Sequence, residues 1–245
     1  MDHRVNVKAL LLCVLALTGL PAGAQALLPF EAHYAWTLKG IAAGHSTLTL
    51  QQLDADRWRY ASRSVASGLF RLIARGDITQ DSQLRIVNGQ VLPEQYRGDD
   101  GTSATNRDVD LHFDWRARRV TGVYEDAPVD MAIEPGVHDD MSIQIALMNE
   151  LLRGQVPKSF RLVDSNITKE YAYSLVETVS LNTPLGMQRT QVYRSQKVGS
   201  ASSVLYWCAP DLGYLPLKVE RHDGHDKVEW ALNITALTRP ANSKP

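Results

Sequence analysis

The chain has 245 residues with 26 basic and 27 acidic side chains, so its formal net charge is −1. That balance, with no Lys/Arg stripe, argues against an electrostatic nucleic-acid binder, and the lack of a polybasic run gives no grip on anionic lipid headgroups. The two cysteines are Cys13 and Cys208, and cleavage of the leader described next removes the first, so no internal disulfide forms and stability has to come from packing.

At the N-terminus Arg4 and Lys8 precede an apolar run, Ala9 to Leu20, closed by Pro21-Ala22-Gly23-Ala24. This is the pattern of an export signal, expected to be cleaved after Ala24, with Ala26 as second choice. About a dozen apolar residues fall short of the ~20 that a spanning helix needs, so no stable membrane span is expected. Cys13 follows Leu12 in mid-run, not the end position of a lipoprotein cysteine. The expected organisation is a signal peptide over 1–24, one antiparallel β domain over 25–238 and a polar, Pro-containing tail over 239–245, in a protein delivered to the periplasm.

Beyond the leader, period-two alternation dominates. Its clearest case is Val109, Leu111, Phe113 and Trp115 alternating with Asp108, Asp110, His112 and Asp114, which puts one face of a strand in a core. The same rhythm occurs at Tyr34-Trp36-Leu38, Leu48-Leu50, Trp58-Tyr60, Val129-Met131-Ile133, Phe160-Leu162, Tyr171-Tyr173-Leu175, Leu205-Trp207, Leu215-Leu217-Val219 and Val228-Trp230-Leu232-Ile234. Between these lie turn residues, Asp54-Ala55-Asp56, Asn88-Gly89, Asp99-Asp100-Gly101 and Asp223-Gly224, as hairpin corners require. Ser67 to Ile73 has no clean alternation and reads equally as a short helical turn or a bulge.

One helix is predicted over 139–153. Asp139 or Asp140 serves as cap, Gly154 as stop, and Met141, Ile145, Met148 and Leu152 form an apolar stripe widened by Leu147 and Leu151. The fold class that follows is mainly all-β: a strongly curved antiparallel sheet or partly open barrel with this helix packed on it or plugging one end. A two-layer sandwich is the alternative.

His138-Asp139-Asp140-Met141-Ser142 is the densest polar group. Read as chemistry, His138, Asp140 and Ser142 would be the orienter, base and nucleophile of a hydrolase; read as structure, Asp139, Asp140 and Ser142 are a helix cap. Capping is the simpler reading, because adjacent residues do not all converge on one atom and no nucleophile elbow surrounds Ser142. His222-Asp223-Gly224-His225-Asp226 could offer metal ligands but spans a hairpin corner, and structural turn is favoured. Cys208 lacks a neighbouring cation and reads as a buried, inert thiol. Two sequons begin at Asn166 and Asn233 and carry little weight. Phosphate loops, zinc-spaced cysteines and calcium loops are absent, so no cofactor and no metal are expected.

Trp36, Trp58, Trp207 and Trp230, four of the five Trp residues, are candidates to line an apolar cleft inside the curved sheet. Core filling is the default for such residues.

Three features together resemble an exported bacterial family known as domain of unknown function 3108. They are Tyr34 to Gly44 with the small-residue hairpin Gly40-Ile41-Ala42-Ala43-Gly44; the Asp-x-x-Ser at Asp139-Asp140-Met141-Ser142; and Trp207-Cys208-Ala209-Pro210 followed by Leu215-Pro216-Leu217-Lys218. Asp140 and Met141 stand where that family usually has Pro and Leu. The family is similar in plan to periplasmic lipoprotein-carrier proteins, whose curved sheet and plugging helix hold acyl chains, and the resemblance supplies no catalytic residues. The leading expectation is a non-enzymatic periplasmic binding or envelope-maintenance protein for an apolar or lipid-like molecule or an envelope protein. The hydrolase above and a structural partner of an envelope complex are the alternatives.

Overall fold

The computed structural model describes residues 26–72, 76–105 and 107–240. The expected leader with Cys13, Ile73 of the undecided segment and residues 241–245 of the expected tail lie outside the described residues.

The first half of the chain forms β1 (Phe30–Leu38), β2 (Ile41–Gln52), β3 (Arg57–Ala66), β4 (Ile78–Val87), β5 (Gln90–Asp99), β6 (Val109–Asp114), β7 (Arg119–Tyr124) and β8 (Ala127–Ala132). The second forms β9 (Val137–His138), α1 (Ser142–Leu152), β10 (Ser159–Asp164), β11 (Ile167–Thr183), β12 (Gly186–Lys197), β13 (Ser203–Ala209), β14 (Leu215–His222) and β15 (Val228–Thr238). The undecided segment is a 3-10 turn over Gly68–Leu72.

All fifteen strands belong to one sheet, in the order β8-β7-β6-β5-β4-β3-β2-β1-β15-β14-β13-β12-β11-β10-β9. Every neighbour is antiparallel except β9 with β10, a two-residue parallel pairing of Val137 with Arg161 and His138 with Leu162. Because β1 pairs with both β2 and β15, the order runs round the molecule and breaks once, between β8 and β9. The two sides of this seam meet through a side chain. Asn166, in the β10–β11 turn, donates from Nδ2 to the Pro128 carbonyl at 2.6 Å and accepts at Oδ1 from the Asp130 N–H at 2.9 Å. The sheet is therefore strongly curled without closing into a barrel.

Local chemistry explains the curl and the corners. Bulges at His33/Tyr34, Trp36/Thr37, Gln83/Leu84, Trp207/Cys208 and Arg221/His222 bend the strands and sharpen their twist. The two-residue connections Lys39-Gly40, Asn88-Gly89 and Glu125-Asp126 all have positive φ at both positions, the requirement of the hairpin turn whose twist matches the strands. Asn88-Gly89 announces itself in the sequence; Glu125-Asp126 does not.

The helix begins later than predicted. Asp139 still caps it from the preceding turn: its Oδ1 accepts the Met141 and Ser142 N–H groups at 2.8 and 2.7 Å, and its Oδ2 accepts the Ser82 hydroxyl at 2.8 Å. At the other end Gly154, φ +74°, donates to Leu151 and Gln155 donates to Glu150, both at 2.9 Å, the paired bonds of a glycine-terminated helix. The predicted apolar stripe is buried throughout but is too narrow. Ile143, Ala146 and Asn149 are buried as well, and only Gln144 and Glu150 are half-exposed. A helix apolar almost all round belongs inside, and the curl of the sheet covers it on several sides. Ile145, Leu147 and Met148 are almost wholly inaccessible, each worth roughly 1.5–3 kcal/mol relative to exposure. Asn149 ties the far end to the β4–β5 turn by donating to Gly89 at 2.8 Å.

The end of the sheet near that turn is solid. Phe30, Leu50, Trp58, Leu84 and Val91 pack there, with Phe30 and Tyr60 edge to face at 6.1 Å. The opposite end, where α1 begins, is not.

Candidate ligand cavity

A cavity of about 430 Å³ lies between the N-terminal end of α1 and the upper halves of β1–β4 and β13–β15. Its apolar wall comes from Tyr34, Trp36, Leu48, Tyr206, Trp230 and Leu232. Trp36 stands opposite Leu232 and Leu38 opposite Trp230, so Trp36 and Trp230 are diagonal neighbours on the concave face. The second wall is small and polar. Ser46 faces Ser64, Ser64 faces Ile78, and Ser62 faces Gln80 across the β2, β3 and β4 ladders.

These polar groups are mostly satisfied among themselves. The Ser46 and Ser64 hydroxyls are 2.7 Å apart, Ser62 donates to Gln80 Oε1 at 3.3 Å, and Gln80 Nε2 donates to the Tyr96 hydroxyl at 2.9 Å. From the helix side Asp140, Met141 and Gln144 complete the lining. Gln144 Nε2 is buried without a hydrogen-bond partner of good geometry, as is the Tyr60 hydroxyl near it.

Two other hollows are of a different kind. One of about 440 Å³ lies on the convex face and is crossed by the ion pairs Arg59–Asp81 and Arg97–Asp110; one of about 600 Å³ is a groove along the rim at Pro29, Gln51 and Leu53.

Asp140 is the charged group of the cavity. Burial and the adjacent Asp139 carboxylate push it up to about 6, against a bond from Tyr96 that favours the charged form. Burial also pushes Asp139 up, opposed by its hydrogen bonds from Ser142, Ser82 and Met141. His138 points elsewhere: it packs edge to face on Phe160 at 5.1 Å, its Nδ1 has no partner, and burial drives it down to about 3, so it is neutral at physiological pH.

The structure therefore separates the three residues of the hydrolase reading. Asp140 lines the cavity; His138 sits beside a small hollow of about 130 Å³ behind the helix. Ser142 Oγ accepts from the Asp139 N–H at 3.0 Å and is spent on the helix start.

Of the four candidate Trp residues, the cavity brings together Trp36 and Trp230. Trp58 is packed in the solid end, because its strand parity carries it inward there. Trp207 lies on the opposite face from Val204 and Tyr206, with Lys218 Nζ over its ring at 4.4 Å. Trp115, beyond the end of β6, donates to the Pro93 carbonyl at 2.6 Å. Asp223 holds the predicted hairpin corner by accepting from the His225 and Lys227 N–H groups. Cys208 is fully buried and its thiol is pushed up by burial, out of the reactive range.

Sequence reasoning missed Ser46, Ser62, Ser64, Gln80 and Gln144. A signal existed for two of them, since Ser62 and Ser64 continue the inward parity of Trp58 and Tyr60 along β3.

The family described as "Protein of unknown function (DUF3108)" matches residues 29–228. The chain belongs to this family. Among curated proteins none matches. A beta-barrel-like protein of domain of unknown function DUF1849 from Brucella abortus shares the fold at 10% identity and a TM-score of 0.56, with 88% of this chain and 99% of that one covered. Weaker likenesses link it to the MucA/MucB complex of Pseudomonas aeruginosa (11% identity, TM-score 0.38, 87% of this chain and 53% of that one). An outer membrane lipoprotein-sorting protein domain from Vibrio parahaemolyticus is similar at 13% identity and a TM-score of 0.26, over 91% and 88%.

Proposed function

We propose that this is an exported binding protein, cleaved after its leader and acting in the periplasm, whose curled sheet holds a molecule with an apolar body. One observation carries the reading: an interior cavity of about 430 Å³ with a mostly apolar wall, inside the roughly 300–1,000 Å³ range of small-ligand sites. Trp36 and Trp230 supply large rigid faces to it, and the leader pattern of residues 1–24 supplies the route of export. The dispersal of His138, Asp140 and Ser142 weighs against hydrolysis.

The reading is tested by titrating the purified protein with the fluorescent apolar probe N-phenylnaphthylamine. Saturable one-site enhancement is expected, displaced by long-chain amphiphiles and weakened at least roughly tenfold in Ser62→Leu, which puts a branched side chain into the cavity. No saturable uptake by the wild type, or equal uptake by Ser62→Leu, would count against it.

A further inference from the structure

The lining of the cavity is lopsided in charge. It contains the Asp140 carboxylate and, among its lining residues, no Lys, Arg or His. The surrounding shell offers one cation, Lys169, whose pull on Asp140 is the weakest of the influences on it. The titratable and charged groups around Asp140 are Asp139 beside it, Tyr96 on β5, Tyr124 and Glu125 at the end of β7, Lys169 and Tyr171 on β11, and Tyr206 on β13. Lys169 is the cation of this set, and it is already paired with Asp164. A carboxylate taken out of bulk water without a cation is costly, and a ligand that brings one offsets that cost.

We propose that the occupant is a cationic amphiphile, an apolar chain ending in a protonated amine, seated with the amine on the Asp140 carboxylate and the chain along the Trp36–Trp230 wall. The inference rests on the ligand-binding reading and narrows it. An anionic amphiphile of equal chain length would set like charge against Asp140. Gln144, with an amide nitrogen lacking a well-formed bond, and the Gln80–Tyr96 pair leave polar groups beside the head without adding charge.

The experiment compares decylamine with decanoate by calorimetric titration at about pH 7.5, where Asp140 is ionised, in wild type and in Asp140→Asn. Decylamine is expected to bind roughly tenfold or more tightly than decanoate, and the preference is expected to vanish in the variant. N-phenylnaphthylamine, which is uncharged, reports whether the variant keeps its cavity. Should the variant fail to fold, the wild type carries the test alone, because decylamine keeps its charge throughout and its affinity, relative to that of the uncharged probe, must fall as pH drops from about 7.5 to about 5 and Asp140 takes up a proton. Decanoate binding as tightly as the amine overturns the inference and leaves the broader reading standing. So does a preference that persists in folded Asp140→Asn, or amine binding that ignores pH. If neither amphiphile nor the neutral probe binds the wild type, the ligand reading falls and this inference with it.

Discussion

Strands β2 and β3 run the height of the molecule, and their inward positions change character on the way. Toward the β4–β5 turn they carry Leu50, Trp58 and Tyr60, paired across the ladders with Phe30 and Leu84; toward the start of α1 they carry Ser46, Ser62 and Ser64. Backbone and register are continuous, so the difference is made by side-chain volume alone. Interiors packed to native density close where the residues are large and stay hollow where Ser46 faces Ser64 and Ser62 faces Gln80. The cavity is thus a property of composition along otherwise ordinary strands.

The sharpest way to break this contrast is to cut the same group from each end. Leu84→Ala, at a wholly buried position in the solid end, is expected to cost about 2–5 kcal/mol in urea unfolding. Leu232→Ala, on a half-buried cavity wall that already faces empty space, is expected to cost only about 1 kcal/mol. Equal losses at both sites would mean that the upper end is as tightly filled as the lower.

Acid provides the next largest effect. His138 is held neutral, its pKa depressed from 6.5 to about 3 by burial, so the unfolded chain takes its proton first as pH falls. Its contribution is intact above about pH 6.5 and is lost as pH drops toward 3, by roughly 2–3 kcal/mol at about pH 4.5. His138→Phe is expected to flatten that part of the stability profile, checked by urea midpoints across the window; an unchanged slope would place the acid sensitivity elsewhere.

Asp140 has the opposite sign. Its pKa is raised in the fold from 3.8 to about 6, so stability is complete below about pH 3.8 and declines as pH rises through 6. Asp140→Asn is expected to raise stability at about pH 7.5 by roughly 1–2 kcal/mol, after discounting for the open side of the cavity, and to do nothing below about pH 4. A loss at the higher pH would mean that the carboxylate is already compensated. The smallest expected effect belongs to the seam, where Asn166→Ala removes two hydrogen bonds at an exposed position and costs about 1 kcal/mol.

The curl, the helix and most hairpin corners were legible because each had a local cause: alternation at Val109 to Phe113, a carboxylate cap at Asp139, and Asn-Gly or Asp-Gly at turns. β4, β5, β7 and β12 were not. In β4 the inward residues are Gln80, Ser82 and Leu84, so the hydrophobic rhythm fades on the stretch that borders the cavity and caps the helix. The site was half visible for the same reason. Trp36 and Trp230 stood out as large aromatics in strand patterns, whereas the serines that leave the cavity open are indistinguishable from surface residues until the register is known. The parity of Trp207 and the solid surroundings of Trp58 are likewise matters of which face and which end, and a two-residue period carries neither.

The gap between β8 and β9 bears on how a guest could enter. A fully closed barrel widens only by tearing a ladder of main-chain bonds along one strand. Here β8 and β9 are joined at one end by residues 133–136, where Arg161 reaches the Pro135 carbonyl at 3.1 Å, and away from that link the Asn166 amide bridges the gap. Releasing the Asn166 contacts would let the two margins part away from that link while every strand keeps its partners, so the wall is built like a ring hinged at one point and clasped at another.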